Sequence, residues 1–454
     1  MSKKKRLLMI ANDFPPIGGA GVQRSLYFAR YLGNFGWLPV VLTVKEVAFP
    51  AKDPTLLTGL PAEVEVIRTE TFEFRRLAWH FQRLRNLGRR SAPNPAPSAA
   101  MPGPIGARSR ELFRAIRRWL LVPDDRLLWA PFALVRALAI VRSPGIEAIF
   151  ATTPCYSSGV IGLLLSRITG LPLVLDLRDP WTRDPYLPSP TPLHAWLNSK
   201  LEGAALGRAS KVIVISNQMR EVFLGAYPGL PADRFVTITN GFDADELAAA
   251  EPVETGGKFV IVYLGSLYAH HRSVFGAFCA AWSSLVRRVP DFGKTAELWL
   301  AGRCDPEILW ELDKWPAVSA SRLGYQPHSE ALRRLRSASV LLLLIKDLDP
   351  SREVVTIPGK LFEYVATGLP IVMIGPEGDA AELVRGSGGS VHRESEAEGI
   401  AHSILERFLD HRDGRSRPAS SAVRSRYERR NLTGLLASQL DSVVSESNLD
   451  AEDT

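Results

Sequence analysis

The sequence predicts an α/β protein made of two doubly wound domains in succession, facing each other across a cleft. Three observations predict it. Short unbroken runs of Val, Ile and Leu recur along the chain, as strands buried on both faces of a parallel sheet require. Helical stretches separate most of these runs, which is the βαβ rhythm of a parallel sheet. A length of 454 residues with 46% hydrophobic and 23% charged residues suits two large globular domains.

The elements follow in order. Strands are expected at 7–11, 40–44, 64–67, 148–152, 173–177, 212–216 and 235–239, with helices at 20–34, 156–168 and 194–207. A second round begins at 259–265 and continues with strands at 297–302, 340–345 and 370–375. Helices near 273–288, 328–337, 359–367 and 378–385 lie between them. The junction is expected in the Ala/Glu/Thr/Gly stretch 248–257. This gives an N-terminal domain 1–248, a C-terminal domain 256–430, and a C-terminal helix with an acidic tail at 431–454. The last ten residues, SESNLDAEDT, are apolar-poor and expected to fray.

Charge is concentrated. The whole chain carries +7, yet residues 73–118 hold eleven arginines and two glutamates, an excess of nine. A basic segment on a near-neutral body points to a local anionic partner rather than to nucleic acid. Phe74, Leu77, Phe81 and Leu84 keep helical spacing beside Arg75, Arg76, Arg83 and Arg85, and so do Phe113, Ile116 and Trp119 beside Arg114, Arg117 and Arg118. Such halves suit an anionic bilayer surface; they also suit a helix packed on its own domain. The uncharged Pro-rich stretch 91–107 between them reads as a loop. Cys155, Cys279 and Cys304 lie far apart with no CxxC pair, which argues for a reducing compartment and against a thiolate zinc site. No apolar run reaches 18 residues, and MSKKKRLLMIAND offers no signal peptide, so a cytoplasmic placement is expected, peripheral on the inner membrane face if the basic segment docks there.

In a parallel open sheet, ligands bind beyond the carboxyl ends of the strands, so the residues that follow strands are the candidates. After 7–11 come Gly18, Gly19 and Gly21, which permit a tight turn and bring a helix start towards a phosphate or a sugar. The same glycines equally serve a turn that lets the helix pack. Arg24 stands where a dinucleotide fingerprint wants its last glycine, which weakens a nicotinamide-dependent oxidoreductase reading. After 173–177 come Arg178, Asp179, Trp181, Arg183 and Asp184. Asp179 is a candidate base or hydroxyl acceptor and Arg178 a candidate anion holder, against the alternative of an internal Asp–Arg network. After 259–264 come Ser266, His270, His271 and Arg272. The guanidinium suits a diphosphate, and two adjacent histidines without a carboxylate cluster do not suggest a metal. Gly359 and Lys360 open a helix whose amides suit a phosphate. Glu363 lies in its first turn, either as a ribose acceptor or as a partner of the helix dipole.

Taken together, FPPIGGAGVQR, DLRDPW, TNGFD, YLGSLY, LAGR, LGYQPHSEALRRL and PGKLFEYVATGLPIV, in this order from Phe14 to Val372, resemble the GT-B glycosyltransferases of family 4, and the branch acting on bacterial surface polysaccharides in particular. The resemblance implies two Rossmann-like domains and a metal-independent hexosyl- or glycosyltransferase with no cofactor. It implies transfer, with retained configuration, from a nucleotide-diphosphate sugar to a lipid-linked or saccharide acceptor held by the N-terminal domain. It assigns Glu363 to the donor ribose, Gly18 and Gly19 to the donor phosphates, the amides of Lys360 and Leu361 to the diphosphate, and Tyr325 to the vicinity of the base. Arg178 and Asp179 stand where many relatives carry His-Asp on the acceptor side. The family's usual further Glu, eight residues before Glu363, is Val355 here. The usual Arg and Lys after the first strand of the second domain are Ser266 and His271, which leaves Arg272 to stabilise the leaving diphosphate. The alternatives are a nucleotide-sugar 2-epimerase on the same fold and a membrane-associated nucleotide-sugar-binding protein without transferase activity.

Overall fold

The computed structural model describes residues 4–18, 20–45, 53–72, 119, 121–143, 145–183, 189–346, 357–415 and 421–452. The basic segment 73–118, Gly19, Asp184 and Val355 lie outside these residues.

The first sheet comprises β1 (Lys5–Ala11), β2 (Trp37–Val44), β3 (Glu65–Thr69), β4 (Ile146–Thr152), β5 (Leu173–Leu177), β6 (Lys211–Val214) and β7 (Phe235–Thr237). Its order is β3-β2-β1-β4-β5-β6-β7. The pairs β2–β3, β1–β2, β1–β4 and β4–β5 are parallel. Leu7 to Ala11 and Leu173 to Leu177 are buried along their whole length, which is why these strands read as unbroken apolar runs. The strand order reverses direction between β1 and β4, so the carboxyl ends of those two strands form the topological switch point. The longer helices beside this sheet are α1 (Gln23–Tyr31), α2 (Ala130–Val141), α3 (Tyr156–Thr169), α4 (Pro192–Arg208) and α5 (Asn217–Ala226).

The second sheet comprises β8 (Phe259–Leu264), β9 (Ala296–Ala301), β10 (Ala320–Arg322), β11 (Val340–Leu344), β12 (Ile371–Ile374) and β13 (Ser390–His392), in the order β10-β9-β8-β11-β12-β13 and parallel throughout. Alternate residues of β8 enter two cores. Phe259, Ile261 and Tyr263 pack with Phe275, Phe278 and Trp282. Val260, Val262 and Leu264 pack with Leu361, Phe362 and Tyr364. The switch point lies between β8 and β11. The longer helices here are α6 (Arg272–Arg288), α7 (Pro306–Asp313), α8 (His328–Arg336), α9 (Gly359–Thr367), α10 (Asp379–Gly386), α11 (Ala397–Arg412) and α12 (Arg429–Glu452).

Two compact units divide the chain, 1–212 with 440–454 and 213–439, and the division runs through β6. The first sheet ends at Thr237 and the second begins at Phe259. A short helix, Ala244–Ala249, stands at the start of the stretch read as the junction, capped by Asp243, which accepts from the Glu246 amide at 3.0 Å.

Several expectations are corrected. The stretch 20–34 is α1 flanked by single 3-10 turns at Ala20–Val22 and Leu32–Phe35, and Gly36 in the left-handed region closes the second turn. Strands β10 and β13 are three-residue edge strands, too short to show a pattern in sequence. The acidic tail does not fray at Ser445, because α12 continues to Glu452. Leu440, Val443 and Val444 are buried along it, and Asp441 accepts from Lys5 Nζ at 2.8 Å and from Trp37 Nε1 at 3.2 Å. Burial and long-range hydrogen bonds thus anchor the turns of α12 that directly precede the acidic tail.

Candidate functional site

The carboxyl edge of the first sheet is built on ion pairs. Arg24, in the first turn of α1, donates from Nε to both oxygens of Asp176 at 3.1 Å and from Nη2 to Oδ1 at 2.8 Å. Their side chains are 5% and 0% exposed, and Thr152 Oγ1 completes the carboxylate at 2.7 Å. The arginine that broke the dinucleotide fingerprint thus ties α1 to β5. The internal-network reading holds for Asp176, the last acid of β5.

Arg178 is buried, and it donates from Nε to the Thr153 carbonyl and from Nη1 to the Gly21 carbonyl. Burial lowers its pKa, with Asp176, Asp179 and Asp13 opposing. The guanidinium therefore joins the turn after β4 to the start of α1. The Asp179 carbonyl accepts from the Trp181 amide at 2.9 Å. Trp181 stacks on Tyr156 with ring centroids 4.9 Å apart. Buried Glu202 of α4 accepts from the Thr182 amide at 3.3 Å and from Arg183 Nη1 at 3.1 Å, holding the following turn. Cys155 and Trp181 are the two non-glycine residues with positive φ among those described, at +77° and +34°. Both stand on this edge, and strain of this kind collects at functional sites.

Between these braces lie two residues that attention to the glycines overlooked, Asn12 and Asp13, directly after β1. Hydroxyls pin their backbone: Thr43 Oγ1 donates to the Asn12 carbonyl and Ser25 Oγ to that of Asp13, both at 3.0 Å. Burial raises the pKa of Asp13, against the lowering influence of Arg178, Arg126 and the Cys155 thiol. Their position immediately after the first strand was the available signal. Gly18 is half-buried in the same loop.

The carboxyl edge of the second sheet has a different character. Gly265, at φ +103°, turns the chain after β8, and any Cβ at Gly302 would collide with its carbonyl. Only glycine fits both places, which accounts for the YLGS and LAGR signatures. Tyr364 of α9 reaches this turn, and its hydroxyl accepts from the Leu264 amide at 2.8 Å. Lys360 Nζ lies 3.7 Å from the centroid of the Tyr263 ring, and it would lie 3.7 Å from a Cβ at Gly265. Among the described residues no carboxylate pairs with it. Burial lowers its pKa to about 7. His271 receives the Tyr268 amide on Nδ1 at 3.2 Å. Burial, with His270 and Lys360 nearby, lowers its pKa to about 4. Ser266 is half-buried, and its carbonyl accepts from the Tyr263 hydroxyl at 3.2 Å.

Arg272 does not extend this group. Its Nε donates to Glu311 at 2.9 Å, where Lys314 also binds at 2.8 Å. At the start of α9 the Leu361 amide donates to the Pro358 carbonyl at 2.9 Å, so the amides of Gly359 and Lys360 are those that precede the first bond. Glu363 is buried and lines a small cavity with Asp243, Glu246, His328 and Arg429. His328 Nε2 lies 3.2 Å from Glu246. Burial presses its pKa down, but the hydrogen bond to Glu246 and the charge of Glu363 prevail and raise it. Tyr325 is exposed. Among the described residues no group of three or more His, Cys, Asp or Glu forms a metal cluster, and no helix is long and apolar enough to cross a membrane.

The description Glycosyltransferase Family 4 matches residues 91–246, and Glycosyl transferases group 1 matches residues 258–410. The chain is a GT-B glycosyltransferase of the family 4 type. Solved structures show the same fold across the transferase. Anabaena HepE, in complex with UDP and glucose, is 17% identical at a TM-score of 0.60, covering 96% of this chain and 100% of that one. Sucrose-phosphate synthase from Thermosynechococcus elongatus is 15% identical at 0.61, covering 97% and 100%. A glycosyltransferase from Rickettsia africae is 12% identical at 0.56, covering 98% of each. The comparison with curated proteins gives no match.

Proposed function

We propose that this transferase moves a sugar, with retained configuration, from a nucleotide-diphosphate donor to a hydroxyl of a lipid-linked or saccharide acceptor in cell-surface polysaccharide synthesis. Residues 256–430 take the donor and residues 1–248 the acceptor. The observation that carries the donor assignment is the Lys360 ammonium, which lies against Gly265 at the switch point with no carboxylate partner among the described residues. A half-buried cation without a counter-charge is costly, and an anion relieves that cost. The first amides of α9 point the same way. The UDP and glucose of the Anabaena protein support a nucleotide sugar as the ligand class.

In this reading the diphosphate lies on Gly359 and Lys360, with Ser266 and His271 beside it. Glu363 accepts the ribose hydroxyls, and Tyr325 lies by the base. As the acceptor oxygen bonds the anomeric carbon, the bond to the β-phosphate oxygen breaks and its electron pair leaves with the nucleoside diphosphate. The hydroxyl proton passes to that departing oxygen. Lys360 and the α9 amides stabilise the charge that develops there. Arg178 and Asp179 shape the acceptor side.

The protein works at the inner membrane face. The Arg-rich segment 73–118 suits anionic lipid, and Trp119, Leu193 and Trp196 are exposed large apolar side chains.

Incubation with labelled UDP-, GDP-, ADP- and dTDP-sugars tests the transfer. Release of nucleoside diphosphate with one donor is expected, and Glu363→Ala should abolish it with the fold intact. Unchanged turnover in that variant removes Glu363 from the donor site. Deleting 73–118 should reduce liposome binding more than donor hydrolysis, and persistence of binding ends the membrane reading.

A further inference from the structure

Among the described residues, Asp13, Asp124, Asp176 and Asp179 are the carboxylates gathered about β1, β4 and β5 at the carboxyl edge of the first sheet. Their uses differ. Asp176 is filled by Arg24 and Thr152. Asp124 accepts from the Ser157 amide at 3.1 Å, from Ser157 Oγ at 2.6 Å and from the Arg126 amide at 2.9 Å. Asp179 sits in the turn that Trp181 and Glu202 hold. Asp13 receives, among the described residues, only the Cys155 thiol, at 3.7 Å. Two arginines act on it electrostatically, Arg178 and Arg126, yet neither donates to it. A carboxylate has room for about four hydrogen bonds, so most of its capacity is unused.

The neighbouring residue supplies a second, independent observation. Asn12 is 1% exposed, and its Nδ2 meets no partner among the described residues. Its Oδ1 lies 3.5 Å from the same Cys155 sulfur. Whichever way the amide is turned, one of its ends is left without a partner. Buried polar groups are rarely left in this state without a reason, and a ligand is one such reason.

The wall around the pair is preformed. Gly21 approaches Asp13 closely enough that a Cβ there would stand 3.6 Å from Oδ2. Cys155 takes positive φ to place its thiol between Asn12 and Asp13. Burial raises its pKa well above the ordinary thiol value, so it stays a neutral donor. The pair stands after β1 and Cys155 after β4, the two strands that flank the switch point.

We propose that Asn12 and Asp13 form the acceptor-hydroxyl site of this transferase, taking a vicinal diol of a saccharide or glycoside. Asp13 accepts from one hydroxyl, and the Asn12 amide donates to its neighbour. An acceptor and a donor side by side match two adjacent hydroxyls, each of which gives one hydrogen bond and takes another. The diol is neutral, which suits an edge where Arg24 is paired with Asp176 and Arg178 is held by two carbonyls. Asp13 holds the hydroxyl in place and keeps no proton, since the proton leaves with the phosphate. The inference rests on the transferase reading and places the carboxylate that accepts from the hydroxyl at Asp13 rather than at Asp179.

The test uses the full chain and octyl β-D-glucoside below its micelle-forming concentration, with binding followed by ligand-observed NMR in the presence of UDP. Asp13→Asn keeps the volume and removes the charge; it is expected to weaken glycoside binding about ten-fold at an unchanged melting temperature. Asp13→Glu should recover part of that loss. Unaltered binding by Asp13→Asn, or no saturable binding by the native chain, overturns the proposal. Binding of UDP, GDP, ADP and dTDP in parallel samples reads the other edge: failure of all four to bind the native chain counts against the donor assignment and leaves Asn12 and Asp13 untouched.

Discussion

The two sheets share an architecture, but their carboxyl edges treat charge in opposite ways. On the first, Arg24 is matched to Asp176 and Arg178 is spent on two carbonyls. On the second, Lys360 lies against an aromatic face with no carboxylate partner among the described residues, beside two histidines whose pKa values are lowered. An edge whose arginines are tied into the fold is a rigid wall suited to uncharged ligands. An edge that leaves a cation uncompensated is poised for an anion.

The largest effect should come from breaking the paired edge. Arg24→Met leaves Asp176 buried without its partner, and about 3–5 kcal/mol of unfolding free energy should be lost in urea titration. A loss below about 1 kcal/mol would mean that the pair is not the brace described. Next, Lys360→Met should weaken binding of the nucleotide sugar that the donor screen selects ten- to hundred-fold by calorimetry, the value of a hydrogen bond to a charged group. It should do so without lowering the melting temperature, because it removes a half-buried charge. Arg272→Met serves as the contrast within one edge: with its guanidinium on Glu311, affinity should stay within about two-fold.

The third prediction concerns pH. Lys360 titrates at about 7 in the unliganded protein, and an anion favours its charged form. Affinity for that nucleotide sugar should therefore fall about ten-fold between pH 6 and pH 8. Lys360→Arg, charged throughout, should flatten that slope, and a slope that persists in it would assign the titration elsewhere. The smallest effect belongs to His328. Its folded pKa is raised above 6.5 by Glu246 and Glu363 against the effect of burial. Its contribution to stability is thus full below the unfolded value and is lost as pH rises through the folded one. His328→Gln should cost under about 1 kcal/mol at pH 5.5 and nothing at pH 8.5, read as melting temperature at the two values.

Much of the fold was legible. The strand at 173–177 and the helix at 359–367 fall where the apolar runs and the helical spacing put them. Strands buried on both faces and helices with one apolar stripe carry local signatures. The edge strands β10 and β13 were not legible, since three residues hold no period. Nor was the anchoring of α12 at Asp441, which is held by Lys5 and Trp37, more than 400 residues away. The candidate site was legible as a set of loops and much less so as a set of roles. Arg24 looked like a flaw in a nucleotide motif and is a brace. Arg272 looked like the available cation and is paired. Asp13 stood unnoticed one residue beyond Asn12.

From its residues alone the chain determined two rounds of strand–helix alternation, the glycine turns after the strands and the motifs of family 4. Each of these depends on the backbone preference and polarity of near neighbours. Only the tertiary structure decided which ions are already neutralised, because Arg24 meets Asp176 across 152 residues and Lys360 meets Tyr263 across the sheet edge. Partnership between distant side chains sets desolvation and charge balance. Those two quantities separate a bracing residue from one that waits for a ligand.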